Sequence, residues 1–114
     1  MDPREAALLM ARTAEDRKAS DAVILDIRKI TLVADYFVIT SAPSTIRVKA
    51  IADAVAESAK QNGLEILHRE GQEVARWVLL DYGSVVMHVF LEEERLFYNL
   101  ERLWGDAPVV EVAR

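Results

Sequence analysis

Arg76-Trp77-Val78-Leu79-Leu80-Asp81-Tyr82-Gly83-Ser84-Val85-Val86-Met87-His88-Val89-Phe90-Leu91 decides the fold. Two apolar runs of strand length, residues 76–81 and 85–91, flank Tyr82-Gly83. This spacing predicts a tight antiparallel hairpin. With Tyr82 and Gly83 as the loop, Asp81 opposes Ser84, Leu79 opposes Val86 and Trp77 opposes His88, and those six share one face. Val78, Leu80, Val85, Met87 and Val89 take the other face, which is uniformly apolar and therefore meets a core. The first face mixes an indole, an imidazole, a carboxylate and aliphatics. Two readings of it stand together. One is a protein-binding surface anchored by Trp77, since tryptophan is favoured at interface hot spots. The other is a face that a helix covers, with Trp77 in the core and its N–H hydrogen-bonded.

Working outward, Glu92-Glu93-Glu94 sets acids on the positive end of a last helix. Leu96, Leu100, Leu103 and Trp104 are its expected buried stripe, and Gly105 its stop. Upstream, Tyr36-Phe37-Val38-Ile39-Thr40 is aromatic or β-branched throughout and reads as a strand. Ser41-Ala42-Pro43-Ser44 breaks it, and Ser44 is a natural N-cap. Val48, Ile51, Val55 and Ala59 then line one helical face, which Asn62-Gly63 ends. Residues 64–68 read as a strand, 70–73 as a turn, 22–27 as a first strand and 28–35 as a connection. Residues 3–18 are an opening helix with a narrow stripe of Leu8, Leu9 and Ala11 or Arg12. The order is α-β-β-α-β-β-β-α, an α/β fold with a mixed β-sheet of about five strands flanked by helices. The long central helix suits a parallel crossover. Residues 1–107 form one domain and residues 108–114 a C-terminal tail.

The 114 residues suffice for one domain, and a hydrophobic fraction of 52% excludes a disordered chain. Cysteine is absent, so disulfides and thiolate metal sites are excluded. Two histidines make a zinc enzyme improbable, and no metal site is expected. No apolar run reaches the ~20 residues that span a bilayer. The start, Met1-Asp2-Pro3-Arg4-Glu5, carries acids where a targeting peptide is basic. A cytoplasmic protein without membrane attachment is the expectation. Fourteen basic and 19 acidic residues give a net charge of −5, of which residues 77–114 hold −4. Direct contact with nucleic acid gathers Lys and Arg, so little of it is expected here. An acidic end instead suits a basic protein partner.

Candidate chemistry is sparse. The Ser41–Ser44 junction lacks the glycine spacing of phosphate-binding loops, and Pro43 removes a donor. No strand carries the paired carboxylates that hold magnesium. Ser84 and His88 lie roughly 13 Å apart along a strand, too far to pair. No catalytic or cofactor-binding residue is assigned.

Four blocks resemble the ribosomal silencing factor family, the Iojap-like proteins. They are Ala34-Asp35-Tyr36-Phe37-Val38-Ile39-Thr40-Ser41, Val48-Lys49-Ala50-Ile51-Ala52-Asp53, Trp77 through Phe90, and Arg95-Leu96-Phe97-Tyr98-Asn99-Leu100-Glu101-Arg102-Leu103-Trp104. The likeness runs from about Ala19 to Ala107. The family usually has glycine where Ala42 stands and often glutamine where Arg47 stands. The resemblance implies a nucleotidyltransferase-like fold without catalytic acids, and therefore no enzyme. It implies binding to large-subunit ribosomal protein fourteen, blocked subunit joining, lowered translation when nutrients are scarce, and a homodimer when free. It favours the exposed reading of the hairpin face. The expected partner-binding residues are Trp77 as anchor, Leu79, Asp81 facing a Lys or Arg, Tyr82 and His88 as hydrogen-bonding edges, and Arg95 and Tyr98 from the adjoining helix. The alternatives are a nucleotide-binding or nucleotidyl-transferring enzyme using the Ser41–Ser44 loop, and a large-subunit assembly factor.

Overall fold

Two strands with no polar face force the architecture. β2 (Tyr36–Ala42) and β5 (Val85–Leu91) are buried at every residue. They pair in parallel, from Tyr36 with Val85 to Ala42 with Leu91. Strands buried on both faces belong at the centre of a covered sheet. The computed structural model describes residues 1–112, with the backbone alone at Phe97, Tyr98, Glu101 and Leu103. Its six-stranded sheet adds β1 (Ser20–Asp26), β3 (His68–Glu70), β4 (Trp77–Asp81) and β6 (Val109–Val110), in the order β3-β4-β5-β2-β1-β6. β2 with β5 is the one parallel pair among the described strands; the others run antiparallel.

One face carries α1 (Pro3–Asp16) and α2 (Thr45–Gln61). Ser44 caps α2 as its composition predicts, its hydroxyl accepting the Arg47 N–H at 3.2 Å. Val48, Ile51, Val55 and Ala59 are buried. The helix closes on Gly63, φ +78°, with Gly63 N–H donating to the Lys60 carbonyl and Leu64 N–H to that of Ala59. This is a Schellman closure. α1 departs from expectation. It buries Ala6, Ala7, Met10, Ala11 and Ala14, and Leu8 and Leu9 are only partly covered. Alanines let the helix approach closely enough for Met10 to fill the gap.

Two corrections concern the sheet edges. The expected strand at 64–68 lies further along the chain, because the Schellman closure ties Leu64 back to α2 and the ladder begins with His68 opposite Asp81. The expected tail is part of the sheet. Val109 and Val110 pair with Leu25 and Ile24, and Asp26 N–H donates to the Pro108 carbonyl at 2.8 Å. Val110 is buried in the core. Pro108, which ends a helix, does not prevent a following strand.

The last helix is broken. α3 (Glu92–Tyr98) and α4 (Leu100–Leu103) meet at Asn99, whose φ of +46° lies in the left-handed region. Asparagine enters that region more readily than most residues. The break rotates the stripe, so Leu96 is 81% exposed instead of buried, while Leu100 and Trp104 pack on the sheet's second face. Leu103 lies outside the described side chains. Leu25, Ile27, Phe37, Ile39, Val86, Phe90 and Ala107 form the core there.

Gly71 sets where β4 starts. Its φ is +83°, and a Cβ added to it would collide with the Trp77 carbonyl oxygen. Gly71→Ala should therefore cost roughly 2–4 kcal/mol, from backbone strain and the clash together. Gly63→Ala, which meets open space, should cost only about 1 kcal/mol. Urea denaturation of both variants checks this, and equal losses would deny the close approach.

Candidate functional site

β4 and β5 build the site. Alternation turns Trp77, Leu79 and Asp81, with Val86, His88 and Phe90, away from α1 and α2. The ladder is offset by two residues from the expected one. Trp77 stands opposite Phe90, Leu79 opposite His88 and Asp81 opposite Val86. The loop is the cause. Tyr82 still belongs to the ladder, its N–H donating to the Val85 carbonyl at 2.9 Å, and Gly83-Ser84 make the turn. Gly83 has φ +85°, a conformation glycine adopts without penalty and tyrosine does not. The Gly83 N–H donates to Asp81 Oδ1 at 2.7 Å, which closes the turn from the side. An even offset leaves the facial assignment intact.

An aromatic cluster occupies this face. The rings of Trp77 and Phe90 lie 4.8 Å apart at 31°. Phe37 of β2 meets His88 edge-on at 4.9 Å, and Trp104 meets Phe37 at 5.5 Å. The indole Nε1–H of Trp77 donates to His88 Nδ1 at 3.1 Å. His88 itself is 4% exposed. The expectation of an outward hydrogen-bonding His88 is corrected: it sits on a central strand, enclosed by Phe37, Phe90 and Trp77. Because Nδ1 accepts, the neutral ring carries its proton on Nε2. That Nε2 is buried and finds no partner among the described residues. Burial pushes the His88 pKa down to about 4.

Trp77, Leu79 and Asp81 are each partly exposed along the margin of the cluster. Tyr82 does not join them. It packs on the helix-side core and lines a groove beside α2 with Leu64, Ile66 and Arg69, and burial raises its phenol pKa. Arg95 does not extend the patch either. Its guanidinium donates to the carbonyls of Ser20 (3.1 Å) and Asp21 (2.8 Å) and to Ser41 Oγ (3.1 Å), pinning α3 to β1 and β2. The Tyr98 side chain lies outside the described residues. Sequence reasoning missed Phe37, Phe90 and Trp104 as the walls of the site. Phe90 shares the parity of Trp77, so the alternation already held that signal.

This face offers an indole, a leucine and a carboxylate, groups suited to covering a partner. Among the described residues, no three His, Asp or Glu side chains gather to hold a metal ion. Nor is any described helix long and apolar enough to cross a membrane.

The buried imidazole makes stability depend on pH. Its folded pKa of about 4 lies below the ordinary 6.5, so between those values the unfolded chain binds more protons. Stability is then lost as pH falls from 6.5 toward 4. The total is at most roughly 3 kcal/mol. His88→Asn should flatten the stability–pH curve in that window by up to about 1.4 kcal/mol per pH unit. Denaturant titrations at stepped pH measure this, and parallel curves would contradict a buried neutral ring.

The family of ribosomal silencing factors acting during starvation matches residues 1–114. The ribosomal silencing factor RsfS of Halalkalibacterium halodurans is 46% identical over 112 residues, 98% of this chain and 96% of that one. A crystal structure from Chromobacterium violaceum superposes with a TM-score of 0.90 at 37% identity, over 92% of this chain and 88% of that one. Another, from Bacillus halodurans, gives 0.83 at 44% identity, over 95% and 98%. Matched along its whole length and in its fold, the chain belongs to the ribosomal silencing factors, a family named for silencing and not for a catalysed reaction.

Proposed function

We propose that the protein represses translation by binding the large ribosomal subunit, through large-subunit ribosomal protein fourteen, and sterically blocking the small subunit from joining when nutrients are limited. It works by occupancy, as a cytoplasmic, non-enzymatic factor that is a homodimer when free. Family membership along the full chain carries this reading. The partly exposed Trp77–Leu79–Asp81 margin supports it as the contact surface. Trp77 serves as the apolar anchor. Asp81 faces a Lys or Arg of the basic partner with the oxygen that does not hold Gly83. The acidity of residues 77–114 steers the approach and disfavours direct contact with rRNA. His88 and Arg95, turned inward, support the surface and are not contacts.

A nucleotide-using enzyme is the weaker reading. Ser41 is 3% exposed and bonded to Arg95, and Ser44 is occupied as the cap of α2.

Two variants test the proposal by comigration with isolated large subunits in sucrose gradients and by a subunit-joining assay. Trp77→Ala should abolish both effects. It should also cost about 2 kcal/mol of stability through lost packing on Phe90, so circular dichroism must show it folded. Asp81→Asn keeps an acceptor for Gly83 and removes the charge. It should leave the melting temperature unchanged and slow association several-fold, with the deficit shrinking as salt rises. A folded Trp77→Ala protein that still blocks joining would sink the proposed surface. A melting temperature raised by nucleotide with magnesium would favour the enzyme.

A further inference from the structure

The imidazole at the centre of the aromatic cluster is only half satisfied. Nδ1 accepts the Trp77 indole N–H at 3.1 Å, whereas Nε2 is buried without a partner among the described residues. A buried donor left unpaired is destabilising, and each such group in a native protein calls for a reason. Phenylalanine or leucine would fill the space beside Phe37 and Phe90 without that penalty. What those side chains lack is an acceptor for the indole.

The indole needs one. Trp77 opens β4 at the margin of the cover, with its ring on Phe90 at 4.8 Å. Tilted packing on a phenyl ring, at 31°, barely distinguishes an indole from the same indole turned over about its second side-chain torsion. In one orientation the N–H points inward, in the other toward the surface. A hydrogen bond to a fixed acceptor makes that distinction, by roughly five- to tenfold in population.

We propose that His88 is the positioning residue for Trp77: it draws the indole N–H into the protein, so that Trp77 presents only carbon to a partner. This rests on the reading of Trp77 as the anchor, and it specifies what that anchor recognises. An indole without an available donor does not reward a carbonyl or carboxylate. It suits an aliphatic side chain or the stem and cation of a lysine or arginine lying over the ring. Asp81, on the same face of β4 but roughly 13 Å further along the strand, attracts a basic partner without pairing with that cation. The recognised feature on the ribosomal partner is therefore a basic side chain lying across Trp77.

The experiment uses the full chain labelled with nitrogen-15. In the wild type, the Trp77 indole N–H, assigned by its disappearance in Trp77→Phe, should exchange slowly, and His88 should appear as the Nε2–H tautomer. His88→Asn keeps an acceptor near the place of Nδ1. It should preserve both the slow exchange and the affinity for isolated large subunits to within about twofold. His88→Gln has the same chemistry with the amide one methylene further out. It should free the indole N–H to exchange and weaken binding by roughly five- to tenfold while the protein stays folded. The proposal is overturned by an Nδ1–H tautomer, by fast indole exchange in the wild type, by equal exchange in the Asn and Gln variants, or by a Gln variant with a freed indole that binds like the wild type. Should His88→Gln fail to fold, the tautomer and exchange rate of the wild type decide the matter. Wild-type protein that ignores large subunits while its indole stays protected would instead indict the functional reading beneath.

Discussion

The parallel pairing of β2 with β5 is the constraint from which the rest of the molecule follows. Both strands are buried along their whole length, so the sheet needs apolar cover on two sides. α1 and α2 cover one side with a dense layer built on alanine and valine. The chain after β5 lies on the other, where Leu100, Trp104 and Ala107 pack over Phe37 and its neighbours. On β4, Trp77 and Leu79 pack against this second core and remain partly exposed.

Polar groups inside this frame have unequal fates. Thr40, buried in β2, donates to the Ser20 carbonyl at 2.9 Å. Ser41 accepts from Arg95. Both thereby fasten the bulged start of β1, where Asp21 has φ +49°. Each hydroxyl makes a bond that an apolar residue could not, at a place where the backbone departs from the ladder. His88 differs in that its Nε2 finds no partner among the described residues. In an interior of low dielectric, that is the more costly arrangement.

Much of this was legible in the residues, for definite reasons. Ser44 and Gly63 bounded α2 because capping chemistry is local, written within four residues of each helix end. The core face of the hairpin was legible because a strand's period of two survives any even error in register. The same tolerance concealed the true partners. Placing Tyr82 in the loop put His88 opposite Trp77, whereas Gly83-Ser84 turn the chain and Phe90 takes that place. The exposure of His88 was not legible. It depends on Phe37 and Trp104, brought in from elements 51 positions earlier and 16 later in the sequence. The strand at Val109–Val110 escaped notice because two residues carry no periodicity. Only the open edge of β1 makes them a strand.

Polar pins direct the segment that follows β5. Arg76, just before Trp77, holds Glu94 of α3 at 2.6 Å. Leu91 N–H donates to the Arg76 carbonyl at 2.8 Å, and Arg95 grips the start of β1. An exposed ion pair adds little to stability, so the value of these contacts lies in direction: they bring α3 off the end of β5 and across toward β1. The chain then turns at Asn99 and returns over Phe37, away from β4. An acidic helix start and a left-handed asparagine thus direct the segment that lays Trp104 over Phe37. On the proposed reading, in which the protein acts by occupying a surface, the partly exposed stretch of Trp77 and Leu79 is the functional feature, much as the placing of a nucleophile would be in an enzyme.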